Sequence, residues 1–223
     1  MKKFYFMSNG KRLCGVIRKR QKSSMILVIH GFTSNKNGRT MKYIGSRLAN
    51  QNYALMGIDL FGHGESEGNI QEVTIPIGVK NVVDAAEYAQ KLGYKKIILL
   101  GSSFGGLCSM LAAPKIKPEA IILRSPVSTY VGRKEALKNK GKNFKKLYKK
   151  YTSYKVAAKI SCPTIIFHGT EDEIVNIQQS RKLSKILKHG KLVEIPTGGH
   201  DFTIAQMKYI VKASKNFLKQ TVN

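Results

Sequence analysis

Ser103 lies at the centre of Gly101-Ser102-Ser103-Phe104-Gly105, which fits the spacing G-x-S-x-G. An apolar run, 97–100, leads into it, and an apolar helix-like run, 107–113, leaves it. A strand that turns straight into a helix crowds its own backbone two residues either side of the turn. Gly101 and Gly105 have no Cβ to clash there. The Ser103 hydroxyl would then stand clear of the sheet, beside the first free N–H groups of a helix. That setting suits a nucleophile whose attack builds negative charge on oxygen. The same spacing also describes a merely tight strand–helix turn, so the chemistry needs partners elsewhere.

A serine hydroxyl needs a base. The chain has five histidines. His30 precedes a Gly31-Phe32 turn, His63 lies in a glycine-rich loop, His168 ends a strand, and His189 stands in a polar turn. His200 follows Thr197-Gly198-Gly199, beyond the last strand. A base that swings between hydroxyl and leaving group suits such a loop. The base needs an orienting carboxylate on its other nitrogen. Between Ser103 and His200 the acids are Glu119, Glu135, Glu171, Asp172, Glu173 and Glu194. Asp172 is the one aspartate and follows a strand; Glu171 and Glu173 read as solvated neighbours. Acyl transfer also needs two donors for the oxyanion. The N–H of Phe104 is one, and the N–H of Phe32, after the strand at 25–29, is the other. No metal or cofactor is called for.

The elements that must hold these groups alternate. Residues 4–8 and 13–20 read as strands joined by an Asn9-Gly10 hairpin turn. A wholly apolar strand is expected at 25–29, further strands at 53–59, 96–100, 120–123 and 163–167, and a last strand at 192–195. Helical spacing marks 39–51, 77–92, 178–187 and 202–218. Short apolar strands alternating with amphipathic helices predict an α/β fold, a mostly parallel sheet of about eight strands covered on both faces. In such sheets functional groups gather at the carboxyl ends of the strands, and every candidate loop here follows a strand.

One segment, about 130–159, breaks the alternation. It is rich in lysine, and Phe144, Leu147, Tyr148 and Tyr151 fall on one helical face. It reads as a short lid, hinged at Gly132 and Gly141, with Phe144, Tyr148 and Tyr151 turned toward substrate. A solvated surface helix and an amphipathic helix on an anionic membrane are the alternatives.

At 223 residues the chain reads as one domain, 1–223. A 42% hydrophobic and 23% charged composition is that of a globular protein. The three cysteines are widely spaced and read as free thiols. No apolar run reaches membrane-spanning length, and the apolar part of the N-terminus is too short for a signal peptide, which together predict a cytoplasmic protein. The net charge of +26 comes mainly from dispersed lysine, 31 Lys against 8 Arg. Readers of nucleic acid lean on arginine, so the charge reads as a solubilising surface rather than a nucleic-acid footprint.

Taken together, His30-Gly31-Phe32-Thr33-Ser34-Asn35, Asp59-Leu60-Phe61-Gly62-His63-Gly64-Glu65-Ser66, Gly101–Gly106, His168-Gly169-Thr170-Glu171-Asp172 and Gly199-His200 resemble the α/β-hydrolase superfamily over nearly the whole chain. The order Ser103, Asp172, His200 is that of the superfamily. The run from His30 to Asn35 is similar to that of small esterases of the cinnamoyl and feruloyl type. The resemblance implies a serine carboxylesterase with Phe32 and Phe104 as oxyanion donors and a small-molecule ester as substrate. Two features depart from that branch: Phe104 stands where glutamine is usual, and the segment between Pro126 and Pro163 is shorter than its lid. A thioesterase, acyltransferase or peptidase would use the same three residues. A non-catalytic module binding nucleic acid or anionic lipid through 133–155 is the alternative of another class.

Overall fold

The computed structural model describes residues 1–20, 23–49, 53–131, 137–138 and 140–222. Eight strands form one sheet: β1 (Lys2–Ser8), β2 (Lys11–Arg18), β3 (Ser24–Ile29), β4 (Ala54–Ile58), β5 (Lys96–Ser102), β6 (Ala120–Arg124), β7 (Thr164–Gly169) and β8 (Gly190–Ile195). Their order is β1-β2-β4-β3-β5-β6-β7-β8. β2 pairs antiparallel with β1 and β4, and every other pairing is parallel. This is the α/β-hydrolase fold. Asn9 and Gly10 both take positive φ, 50° and 71°, so Ser8 pairs directly with Lys11 and β2 begins at Lys11 rather than at residue 13.

The apolar strands are buried on both faces because their side chains alternate between two cores. Met25, Leu27 and Ile29 of β3 face one core, and Ile26 and Val28 face the other. Ile97 and Leu99 of β5 divide from Ile98 and Leu100 in the same way. Among the described residues the α-helices are α1 (Ser46–Leu48), α2 (Ile75–Lys91), α3 (Phe104–Ile116), α4 (Lys142–Leu147), α5 (Tyr154–Ala157), α6 (Gln178–Ile186) and α7 (Ile204–Thr221). α2, α3 and α6 cover the first face, through residues such as Val82, Leu107 and Leu183. Met41, Ile44 and Leu48 join α7 over the second, where α7 contributes Met207, Ile210 and Phe217. A capping box between Thr203 and Gln206 starts α7, each side chain bonding the other's backbone N–H.

Two expected helices differ. The span 39–51 is a widened turn, Thr40–Gly45, followed by the short α1, while residues 50 and 51 lie outside the described set. The backbone N–H of Ser46 reaches back five residues to the Met41 carbonyl, and its hydroxyl bonds the same oxygen at 3.2 Å. That extra residue per turn lets Gly45 lie flat on β3, where a Cβ would stand 3.0 Å from Val28. The segment 130–159 is no single helix. α4 gives way to a tighter turn, Tyr148–Lys150, and Tyr151 is extended. The four apolar residues therefore do not share one helical face. Gly132 and residues 133–136 and 139 lie outside the described residues. No helix among the described residues is long and apolar enough to cross a membrane.

Candidate active site

Ser103 stands between β5 and α3 with φ 51° and ψ −116°, a conformation that L-residues rarely adopt. The fold over-determines it. The Ser103 N–H donates to the Arg124 carbonyl at 3.0 Å, and its own carbonyl accepts from Gly106 and Val127 at 3.0 and 3.1 Å. The flanking glycines are obligatory for space. A Cβ on Gly105 would lie 2.3 Å from the His30 carbonyl oxygen, and one on Gly101 would lie 2.6 Å from Ser109 Oγ. The loop after β3 therefore presses on the turn, and Gly31 approaches so closely that its Cβ would meet that of Ser103 at 3.3 Å.

Asp172 and His200 come together because the loops after β7 and β8 are zipped backbone to backbone. Thr170 N–H bonds the Ile195 carbonyl at 3.0 Å, and Glu171 N–H bonds the Gly198 carbonyl at 2.9 Å. Gly169 has no room for a side chain, since a Cβ would lie 2.0 Å from the Gly198 oxygen. Across this seam His200 Nδ1 meets Asp172 Oδ2 at 2.8 Å. Asp172 Oδ1 accepts from the N–H groups of Ile174 and Val175 at 2.9 and 2.7 Å, and His168 Nε2 lies 3.2 Å from Oδ2. The carboxylate is wholly buried. Burial alone would raise its pKa, but the bonds from His168, His200 and Val175 outweigh it and hold the group well below the usual carboxylate range. An ionised acceptor at Oδ2 keeps the proton of His200 on Nδ1 and leaves Nε2 as the basic nitrogen.

The other histidines are committed elsewhere. His30 Nε2 accepts from the Leu60 N–H at 3.0 Å, so Nδ1 carries the proton and donates to the Gly31 carbonyl at 2.6 Å. Burial lowers its pKa to about 4. His63 bonds the carbonyls of Phe61 and Phe32, and His168 fits between Ser180 Oγ and the Val175 carbonyl, at 2.6 and 2.7 Å. His189 is exposed. His30 and His63 thus fix both ends of the Gly31–Phe32 turn. A buried ion pair, Lys36 with Asp59 at 2.7 Å, anchors the rest of that loop, and a second bond from Lys36 reaches Glu65 at 2.7 Å.

Ser103 and His200 line one cavity of about 800 Å³, with Gly31 and Phe32 in its wall. No hydrogen bond joins the serine hydroxyl to the imidazole among the described residues. Neither the Phe32 nor the Phe104 N–H has a described partner; the latter is the first of α3, which has no acceptor within its own helix. The Phe104 ring is fully buried and meets Phe32 edge to face, at 5.4 Å and 79°.

The three aromatic residues expected at the substrate are not in this cavity. Phe144 is fully buried behind it, against the rings of Phe32, Phe104 and Tyr130. Tyr151 lines a separate apolar groove of about 460 Å³ between α2, α3 and the segment before α5. Tyr148 packs, partly buried, on the core and lines neither. The break after Leu147 turns the two tyrosines away, and the apolar contact of Phe144 draws its ring inward. The cavity's described aromatic walls are Phe32 and Tyr130 instead.

Sequence reasoning left Arg124 unassigned. It ends β6 and is buried, with its guanidinium donating to Ser102 Oγ at 2.8 Å, the His200 carbonyl at 2.5 Å and Asp201 Oδ1 at 3.0 Å. One side chain therefore ties the serine turn to the histidine loop. The signal in the sequence is a charged residue closing an otherwise apolar strand. Among the described residues no cluster of His, Cys, Asp or Glu is placed to hold a metal ion.

The family described as serine aminopeptidase, S33 (Hydrolase_4), matches residues 20–153. The uncharacterized protein YfhR of Salmonella typhi is 27% identical over 192 residues, 78% of this chain and 63% of its own length. The alpha/beta hydrolase domain-containing protein 17B of Xenopus laevis is 24% identical over 89% of this chain and 67% of its length. The chain thus spans about two thirds of these curated relatives. Among solved structures, Est1E from Butyrivibrio proteoclasticus with bound ferulic acid superposes with a TM-score of 0.88 at 26% identity, covering 98% of this chain and 99% of that one. Mouse alpha/beta hydrolase domain-containing protein 10 shares the fold, with a TM-score of 0.83 at 20% identity over 99% of each chain.

Proposed function

Since this chain belongs to the serine aminopeptidase (S33) family of α/β-hydrolases, we propose that it is a serine carboxylesterase acting on small to medium acyl esters. The observation that carries the reading is the buried Asp172 carboxylate holding His200 at 2.8 Å on the rim of the cavity that Ser103 lines. In this mechanism Ser103 Oγ attacks the ester carbonyl while His200 Nε2 takes its proton. The oxyanion is received by the N–H groups of Phe32 and Phe104, both without a described partner. Collapse expels the alcohol, which takes the proton from His200, and leaves an acyl group on Ser103. Water, deprotonated by the same imidazole, then releases the acid. Asp172 keeps the tautomer and stabilises the imidazolium. The Est1E likeness supports an ester over an amide. Free thiols at Cys14, Cys108 and Cys162 suit a cytoplasmic setting.

The test is labelling with a fluorophosphonate followed by mass-spectrometric location of the adduct, beside turnover of a panel of esters, thioesters and amides. The adduct belongs on Ser103, and the esters should turn over fastest. A Ser103→Ala protein that still hydrolyses esters at near the parent rate would refute the mechanism.

A further inference from the structure

The cavity around Ser103 is cationic in an unusual way for this chain. Its surface charge is overwhelmingly lysine, yet two of its eight arginines, Arg39 and Arg124, line this one cavity. Both bond carbonyls of the same segment. Arg124 bonds the His200 carbonyl, and Arg39 Nη2 donates to the Phe202 carbonyl at 2.9 Å. Lys140 also lines the cavity, its ammonium 2.9 Å from the centre of the Phe32 ring. Among the described residues, the carboxylate in the lining is Asp201, which is paired with Arg124 and whose side chain is 74% exposed. Among the described residues, Arg39 and Arg124 thus both stand in the wall of the cavity that Ser103 lines.

Arg124 is spent on the loops it ties, and it is pulled down in pKa by burial and further by the charge of Arg39. An anion beside the two guanidinium groups offsets that repulsion. Arg39 is exposed and bonds the protein through one nitrogen, so the rest of its planar fork can meet a two-oxygen anion.

We propose that the cavity selects esters carrying a second group that is anionic, a carboxylate, and that Arg39 is the side chain that reads it. This rests on the esterase reading and narrows its substrate class. The acid released would be a dicarboxylic or similarly charged acid, or the alcohol a hydroxy acid.

The test compares mono-p-nitrophenyl glutarate with neutral p-nitrophenyl pentanoate, of equal acyl length. The parent protein should favour the charged ester by about tenfold in kcat/KM, the worth of one charge-assisted hydrogen bond. The preference should shrink with added salt and fall to near parity in Arg39→Gln, and Arg39→Lys should keep part of it. A second measurement needs no turnover: calorimetric binding of monomethyl glutarate and methyl pentanoate to Ser103→Ala, with and without Arg39→Gln. The same ordering is expected. Equal handling of the two esters, or a preference that Arg39→Gln leaves intact, overturns the inference while ester turnover upholds the esterase reading. No turnover of either ester, with selective binding of the charged one, removes the esterase reading and upholds the anion preference.

Discussion

Asp172→Asn separates the electrostatic role of the carboxylate from its structural one. The asparagine can be placed in two ways. With its oxygen at the Oδ1 position it keeps the N–H groups of Ile174 and Val175, now at 2.9 and 2.7 Å from Asp172. Flipped, it sets its NH₂ against both of those donors, leaving the N–H of the buried Val175 unpaired at about 1–3 kcal/mol while the exposed Ile174 turns to water. The first placement wins. Its NH₂ then faces His200 Nδ1, which must accept instead of donate, so the proton moves to Nε2 and the imidazole can no longer take one from Ser103. His168 Nε2 also loses its contact with Oδ2 but keeps the Val175 carbonyl at 2.7 Å. The stability cost is therefore that of weakened charge-assisted bonds, about 1–3 kcal/mol, partly offset because a buried charge is gone. The catalytic cost is the wrong tautomer, about 10⁴-fold in kcat. Urea unfolding gives the first number and p-nitrophenyl ester kinetics the second, with ¹⁵N chemical shifts reporting the His200 tautomer. The folded pKa of Asp172 lies below its unfolded value, so its stabilisation is complete above about pH 4 and fades only at lower pH. A variant within tenfold of the parent kcat, with the parent tautomer, would refute the assignment.

Other expectations follow from single contacts. Gly105→Ala places a methyl 2.3 Å from the His30 oxygen and 2.5 Å from the Ile29 oxygen, both backbone; unfolding free energy should fall by about 3 kcal/mol, and a loss under about 1 kcal/mol would contradict the packing described. His30 is neutral when folded, with its pKa lowered from 6.5 to about 4. Its contribution is whole above pH 6.5 and is lost as pH falls toward 4, on the order of 3 kcal/mol; His30→Gln should flatten the stability curve in that window, and an unchanged curve would place the proton elsewhere. Arg124→Met cuts the tie between Ser102 and the His200 carbonyl. On a neutral ester, kcat should drop by about ten- to a hundredfold with KM nearly unchanged; a purely structural role would lower the fraction folded and leave kcat per active site intact, as fluorophosphonate titration would reveal.

The fold was legible because its signals are local and redundant. Apolar runs of strand length at β3, β5 and β6 have room for only one environment, a sheet covered on both faces. The Asn9-Gly10 turn fixed the first hairpin by backbone conformation alone. Gly101 and Gly105 announced a crowded turn before any contact was known. Ser103, Asp172 and His200 could each be placed on a loop after a strand, since strand ends can be read one at a time. The pairing of Asp172 with His200 was expected by elimination, but the contacts that make it were not legible. The Asp172–His200 bond depends on the seam between Gly169 and Gly198, made by backbone groups that carry no residue signature. The aromatic face at 144–151 failed because helical spacing says nothing of where a helix stops, and the core claimed Phe144. Arg124 acquired its role from three partners distant in the chain, and the cavity's charged residues come together from separate segments. Local propensity and periodicity reside in the sequence; the sharing of one cavity, one carboxylate and one guanidinium among distant loops is a property of tertiary packing alone.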